Sequence, residues 1–267
     1  MSGPSGQLLT AFWEGYTPSG QGFAPELAAT PPSVDLLTVA FSNLYPGNVV
    51  CRGYMQKAHS EDRIRSDIAS LRRSAPGMKI LMSIIGTPDP PVGWNTGITD
   101  ATYFARSLST WMSSWEIDGF DIDNEDLDTW PGDQFVATVK EMRQVMPEAI
   151  LTLDTYIFQR DQSVIRQLAD DLSGINTMAY FDDLTTMQSL VEQYSSVIDV
   201  SKISIGVKSA PSSEEGTSLA DSVALTKWNP SAGAKRGMML WNLSLDITKV
   251  TGEPDGSWTR AIAENLL

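Results

Sequence analysis

The sequence predicts an α/β fold, a parallel sheet wrapped by helices, and three observations lead there. Eight short apolar runs alternate with amphipathic segments across the 267 residues, the order that lets helices cover the faces of parallel strands. Beyond that alternation there is no internal repeat, and no linker divides the chain. The length suits one domain spanning 1–267: such a chain buries about 70 to 75% of its unfolded surface, and α/β barrels of about 250 residues commonly form one domain.

In chain order the predicted strands are Leu8 to Trp13, Leu36 to Phe41, Lys79 to Ile85, Gly119 to Glu125, Ile150 to Asp154, Ile175 to Tyr180, Ile203 to Val207 and Met238 to Trp241. The clearest helix carries Phe104, Leu108, Trp111, Met112 and Trp115 along one stripe behind an Asp100 cap. Another runs from Ser60 through Ile64, Ile68 and Leu71 to a Pro76-Gly77 stop, and a third from Asp133 through Phe135, Val139 and Met142 to Pro147. Their Met and Trp stripes are read as packing surfaces. Thr17 to Ser33, rich in Pro, Gly and Ala, is expected to hold at most a turn or two of helix, and Asp89 to Thr99 to be a loop.

Charge and rare residues exclude several functions. A net charge of -14 and a pI near 4.4 repel nucleic acid and anionic membrane, so a neutral or cationic polymer suits the surface better. Cys51 is the only cysteine, which rules out an intrachain disulfide. His59 is the only histidine, so multi-histidine metal sites are excluded by count. Being the only one, it also removes the usual Ser-His dyads from consideration, and as a lone polar residue just before a helix it is expected at the surface. No metal or cofactor is expected. No apolar run approaches the roughly 18 residues of a membrane span, and Met1 to Gln7 has no basic start with a long apolar stretch, so no export signal is expected.

The chemistry concentrates in Ile117-Asp118-Gly119-Phe120-Asp121-Ile122-Asp123-Asn124-Glu125. In a strand, side chains alternate faces, so Asp121, Asp123 and Glu125 point one way, with Phe120 and Ile122 on the other. Three neighbouring carboxyls cannot all ionise comfortably, so some keep protons above the usual acid range, as a general acid requires. The pattern D-x-D-x-E also suits a calcium loop, but such loops favour Gly and Asn over Phe and Ile at the alternate positions. Asp118 falls on the opposite face and is expected to tie the strand to its neighbours.

Asp118-Gly119-Phe120-Asp121-Ile122-Asp123-Asn124-Glu125 resembles D-G-x-D-x-D-x-E, the signature of glycoside hydrolase family 18, which holds chitinases and endo-β-N-acetylglucosaminidases. The resemblance implies a (β/α)8 TIM barrel with this segment as its fourth strand and Glu125 as the acid that protonates the glycosidic oxygen. It implies that the 2-acetamido oxygen of the bound sugar is the nucleophile, an exception to the usual two-carboxylate plan. Asp123 then orients the acetamido N-H, Asp121 shares a proton with Asp123, and Tyr180 hydrogen-bonds the acetamido oxygen. Met178 and Tyr180 resemble the family's Met-x-Tyr element, and Trp241 the tryptophan that floors the cleaved sugar's subsite. An aromatic plate there suits the apolar face of a pyranose. Phe41, Trp13 and Tyr16 resemble further positions near the sugar, and Asp182 shares a face with Tyr180 but lies further out.

Some residues depart from the family's pattern. Ser83-Ile84-Ile85-Gly86 stands where Ser-x-Gly-Gly is usual, Phe181 follows Tyr180 where Asp is common, and Asn124 stands where larger chitinases have Trp. The segment from Val207 to Gly237 is too short for the additional α+β domain that deepens the cleft of processive members, so an open groove is expected. The resemblance therefore implies an endo-acting enzyme on chitin or chitooligosaccharides, with the chitobiose core of N-glycans as the alternative substrate and a non-catalytic sugar-binding barrel as the alternative class. A monomer is expected. The substrate class implies an extracellular site of action, with a cytoplasmic one open because no export signal is read.

Overall fold

Asp100 acts as the helix cap the sequence suggests, and Ser60 caps the helix that follows it in the same way. Ser60 accepts from the Arg63 amide ahead of α1 (Glu61–Ser74), and Asp100 accepts from the Tyr103 amide ahead of α2 (Ala101–Trp115). In the computed structural model, residues 6–15, 26–51, 59–86, 93–127, 129–212 and 214–267 are described. Tyr16 lies outside them.

Among the described residues, eight parallel strands close a ring: β1 (Leu8–Glu14), β2 (Leu36–Tyr45), β4 (Lys79–Gly86), β5 (Gly119–Asn124), β6 (Ile150–Thr155), β7 (Gly174–Thr177), β8 (Ile203–Lys208) and β9 (Gly237–Trp241). β1 pairs with both β2 and β9, which closes the barrel. The remaining helices are α3 (Asp133–Val145), α4 (Phe158–Leu168), α5 (Leu184–Tyr194), α6 (Leu219–Lys227), α7 (Thr248–Thr251) and α8 (Ser257–Asn265). The chain is a (β/α)8 barrel, and only α6 and its loops lie between β8 and β9, with no inserted domain.

The structure corrects four expectations. β2 continues past Phe41 to Tyr45 and turns through Pro46-Gly47-Asn48 into a short antiparallel strand, β3 (Val49–Cys51). Gly47 and Asn48 take φ of 79° and 67° in that turn, the left-handed region these two residue types tolerate best. β7 ends at Thr177, so Met178 and Tyr180 lie beyond the ladder rather than on it. β5 ends at Asn124, so Glu125 is the first residue past its strand. His59 is half-buried, its ring 5.3 Å from that of Trp13, and is not a free surface residue.

Packing divides at the strands. The large core fills the layer between barrel and helices and includes Leu9, Trp13, Phe104, Trp111, Phe120, Ile122 and Phe135. Inside the barrel a much smaller apolar group, Phe12, Ala40, Phe41, Tyr180 and Met239, sits near the carboxyl ends of the strands. Elsewhere the interior-facing side chains include Ser83, Asp121, Thr152, Asp154 and Asn176, all fully buried or nearly so.

Asp118 ties the base of β5 to its neighbours. Its carboxylate accepts from Arg72 Nη2 at 2.6 Å, the Ile80 amide at 2.8 Å and Lys79 Nζ at 3.3 Å. Substituting Asp118→Ala leaves the Ile80 strand amide without its acceptor and takes the carboxylate from Arg72, which keeps the Glu116 and Met78 carbonyls, so unfolding free energy should fall by about 1 to 3 kcal/mol. Denaturant titration checks this, and turnover per folded molecule should stay unchanged.

Candidate active site

The carboxyl ends of the strands surround a cavity of about 310 Å³ lined by Phe41, Ile85, Asp123, Glu125, Asp154, Met178, Tyr180, Phe181, Lys208 and Trp241. Asp121 lies beneath it, inside the barrel and inaccessible to solvent. Its Oδ2 accepts from Ser83 Oγ at 2.8 Å, and its Oδ1 accepts from Thr152 Oγ1 and, at 3.5 Å, from Asn176 Nδ2. Burial raises its pKa to about 6, although the hydrogen bonds from Thr152 and Ser83 and the positive charge of Arg236 oppose the rise.

Asp123 is one step further up the same face and is 2% exposed. Burial, then the charges of Glu125 and Asp121, push its pKa well above the carboxylate range. Its Oδ1 is buried and has no hydrogen-bond partner among the described residues, so an acceptor is kept free beside the cavity. Glu125 follows at the mouth, where its side chain meets solvent. Partial burial still raises its pKa, against the lowering effect of Arg160. A carboxyl whose pKa is raised by its surroundings yet which faces open space can act as a general acid.

Asp154, which sequence reasoning missed, completes the cluster. It is the register partner of Asp123 across the β5–β6 pair, is 2% exposed, and shares a hydrogen bond with Asp121. Asn176 Nδ2 donates to its Oδ1 at 2.8 Å. Burial and the charges of Asp121 and Asp123 raise its pKa well above the usual range, so it holds a proton that it can donate to Asp121. The signal was present, since Asp154 is the last residue of a predicted strand and the carboxyl ends of barrel strands carry the chemistry.

Trp241 forms the aromatic wall. Phe41 stacks on it with centroids 5.4 Å apart and planes at 27°, and Phe12 meets it edge-on at 5.4 Å. Tyr180 is buried at the cavity edge with its hydroxyl 3.8 Å from Met239 Sδ. Burial and the surrounding carboxylates push that hydroxyl's pKa up, so it stays a proton donor. Gly206 makes room for it: a Cβ there would fall 1.9 Å from the Thr177 carbonyl oxygen and 2.9 Å from the Tyr180 ring. Ile85 lies on the cavity wall as the register partner of Asp123, the repacking that its place in a usual Gly-Gly pair foretells.

Two predicted sugar contacts are corrected. Trp13 is 1% exposed and packs in the outer layer, because the alternation that turns Phe12 into the barrel turns Trp13 out of it. Asp182 is exposed and lies in a turn whose amide donates to the Ala179 carbonyl at 3.2 Å. That turn ends the period of two, so Phe181 reaches the cavity while Asp182 faces a neighbouring groove. Among the described residues, no group of three or more His, Cys, Asp or Glu side chains is arranged to hold a metal ion.

The profile described as glycosyl hydrolases family 18 matches residues 9–242. The chain belongs to this family. Family 18 members are glycosidases, and the signature acids of this one are Asp121, Asp123 and Glu125. The fold is similar to a family 18 chitinase from Chromobacterium violaceum (19% identity, TM-score 0.76, covering 99% of this chain and 84% of that one). It is also similar to the Group IV chitinase of Ostrinia furnacalis solved with allosamidin (14%, TM-score 0.76, 98% and 100%). A third likeness is to an endo-β-N-acetylglucosaminidase from Cordyceps militaris (15%, TM-score 0.69, 97% and 90%). No curated protein sequence matches significantly. At these identities the likeness of the structures concerns the fold alone.

The buried acids set a pH dependence of stability in this family 18 barrel. A folded-state pKa raised above the unfolded value means the folded chain keeps a proton that the unfolded chain releases, so stability falls as pH climbs through that window. For Asp121 the window runs from the ordinary 3.8 to about 6 and corresponds to roughly 3 kcal/mol. Thermal midpoints should fall between pH 4.5 and 6.5 more steeply for the parent than for Asp121→Asn. Parallel slopes would contradict the assignment.

Proposed function

We propose that this family 18 glycosidase is an endo-acting enzyme that cleaves β-1,4 bonds after N-acetylglucosamine in chitin and chitooligosaccharides, with retention and with the substrate's acetamido oxygen as nucleophile. The observation that carries the reading is the row Asp121, Asp123, Glu125 along β5 and just past its end, rising from a sealed interior to an exposed acid, with Trp241 in the same cavity. A pyranose stacks on Trp241, which Phe41 and Phe12 hold in place. Glu125 gives its proton to the glycosidic oxygen as that oxygen leaves the anomeric carbon, and the acetamido oxygen attacks the same carbon to form an oxazolinium ring. The free Oδ1 of Asp123 accepts the acetamido N-H and balances the positive charge, while Tyr180 donates to the acetamido oxygen. Asp121 shares a proton with its neighbours, which limits the charge beneath Asp123. Water, deprotonated by the Glu125 carboxylate, then opens the ring.

The absence of an insertion between β8 and β9 leaves the groove open, which supports attack within a chain. A polymeric substrate would put the enzyme's work outside the cell. Retention of all four signature groups, Asp121, Asp123, Glu125 and Tyr180, favours an enzyme over a silent sugar-binding barrel. Cleavage in the chitobiose core of N-glycans is the second reading, favoured by Ser83-Ile84-Ile85-Gly86, which is closer to the single-domain endo-β-N-acetylglucosaminidases and puts Ile85 on the cavity wall.

Offering chitin oligomers and a high-mannose glycoprotein side by side decides between the two, and the oligomers should be cut faster. Glu125→Gln keeps the shape but cannot donate an acidic proton, so turnover should fall by about 10²- to 10⁴-fold with oligosaccharide binding retained. Loss of less than about tenfold would remove Glu125 from the role of acid.

A further inference from the structure

Glu125 has left its strand, and its carboxyl makes no hydrogen bond to another described residue. Its position therefore depends on the backbone on either side. On one edge the Glu125 amide still donates to the Gly86 carbonyl at 3.1 Å. On the other, the β5–β6 ladder stops at the Asp123–Asp154 pair, so the carbonyls that follow have no partner on β6. Such groups need a donor from elsewhere.

Arg160, in the first turn of α4 and 3% exposed, supplies it. Its Nη2 donates to the Asn124 carbonyl at 2.9 Å and its Nη1 to the Asp126 carbonyl at 3.4 Å, the residues immediately before and after Glu125. Asp161 fixes the fork, accepting from Nε at 2.6 Å and from Nη2 at 3.1 Å. Asp161 in turn accepts from Thr155 Oγ1 at 2.5 Å, and Thr155 is bonded to the Tyr194 hydroxyl on α5 at 2.5 Å. The fork is thus anchored to α4, to the end of β6 and to α5 before it reaches the loop.

We propose that Arg160 is a positioning residue for the proton donor, clamping both flanking carbonyls so that the Glu125 carboxyl stands at the glycosidic oxygen. The proposal rests on the reading of Glu125 as the acid. A planar guanidinium can bridge two carbonyls while paired with Asp161, and an ammonium on a flexible stem cannot. Arg160 also acts through charge. The groups that face it are Asp161 on its own helix, Asp123 and Glu125 on β5 and just beyond it, Tyr156 in the loop after β6, with its ring 6.0 Å away, and Tyr194 on α5. Its positive field favours the ionised form of Glu125, so its removal raises the pH at which Glu125 loses its proton.

Arg160→Lys and Arg160→Met in the full chain test this, with turnover of a chromogenic chitooligosaccharide and the Glu125 titration followed by carboxyl carbon NMR against Glu125→Gln. In the lysine variant kcat should fall about 10- to 100-fold, because about 1 Å of misplacement costs that much, with KM within about threefold and the Glu125 titration in place. The methionine variant should lose at least as much kcat and shift the titration to higher pH. A kcat within about threefold of the parent in the lysine variant would overturn the proposal even if thermal stability dropped, since that is the mark of a merely structural arginine. If the methionine variant does not fold, the lysine variant decides. If the parent itself fails to turn over chitooligosaccharide, the functional reading fails separately, and a Glu125 titration unmoved in Arg160→Met overturns the role of Arg160 without reference to substrate.

Discussion

Asp121, Asp123 and Asp154 are each at most 2% exposed and sit side by side on neighbouring strands of one barrel. Ionising all three there would leave like charges unsolvated at close range, which a protein interior does not support. Protons must be retained, and the surroundings are built to divide them. Ser83, Thr152 and Asn176 donate to the carboxyl oxygens, and Arg236 places a positive charge on the Asp121 side. The cost of this arrangement is that the middle of the barrel is polar where α/β barrels usually stack branched apolar residues. Stability therefore falls to the outer layer, where strands meet helices and where most of the buried apolar side chains lie.

The same constraint explains the scaffolding around β5. A strand that carries destabilised side chains has to be held by its backbone and its ends. Trp94 Nε1 reaches the carbonyls of Ile84 and Asp123 at 3.1 and 3.2 Å, bridging β4 and β5 from the outer layer. Gly86 lies against that indole, and a Cβ on it would come within 2.7 Å of the ring. Asp118 anchors the other end of the strand. Between these ties the acids rise from sealed to exposed, and the pKa of each reflects how much water and how many partners its position allows.

Much of this was legible in the sequence because it follows local rules. The period of two placed Asp121, Asp123 and Glu125 on one face, apolar runs marked the strands, and the Asp100 cap and the Pro76-Gly77 and Pro147 stops bounded helices. What was not legible depends on tertiary neighbours. Trp13 read as a sugar contact by resemblance, but facing within β1 made it outer core. Asp182 was read by extending a strand through residues that turn after Thr177, a boundary set by where β7 stops pairing and not by the apolar pattern. Asp154 gave a positional signal, yet only the register across β5 and β6 brings it to the acids. The β2–β3 hairpin had its signal in Pro46-Gly47-Asn48, and was missed because the apolar run was taken to end at Phe41.

The central claim is that the reaction runs by two displacements at one carbon, with Asp123 and Tyr180 serving the acetamido group and no protein carboxylate activating water in the first step. Proton NMR of the first products released from a chitooligosaccharide, taken before mutarotation, tests this directly. Two displacements at one carbon predict that the new reducing end is first seen as the β-anomer. A first-formed α-anomer would mean a single attack by water with Asp121, Asp123 or Asp154 as base, and would contradict the account.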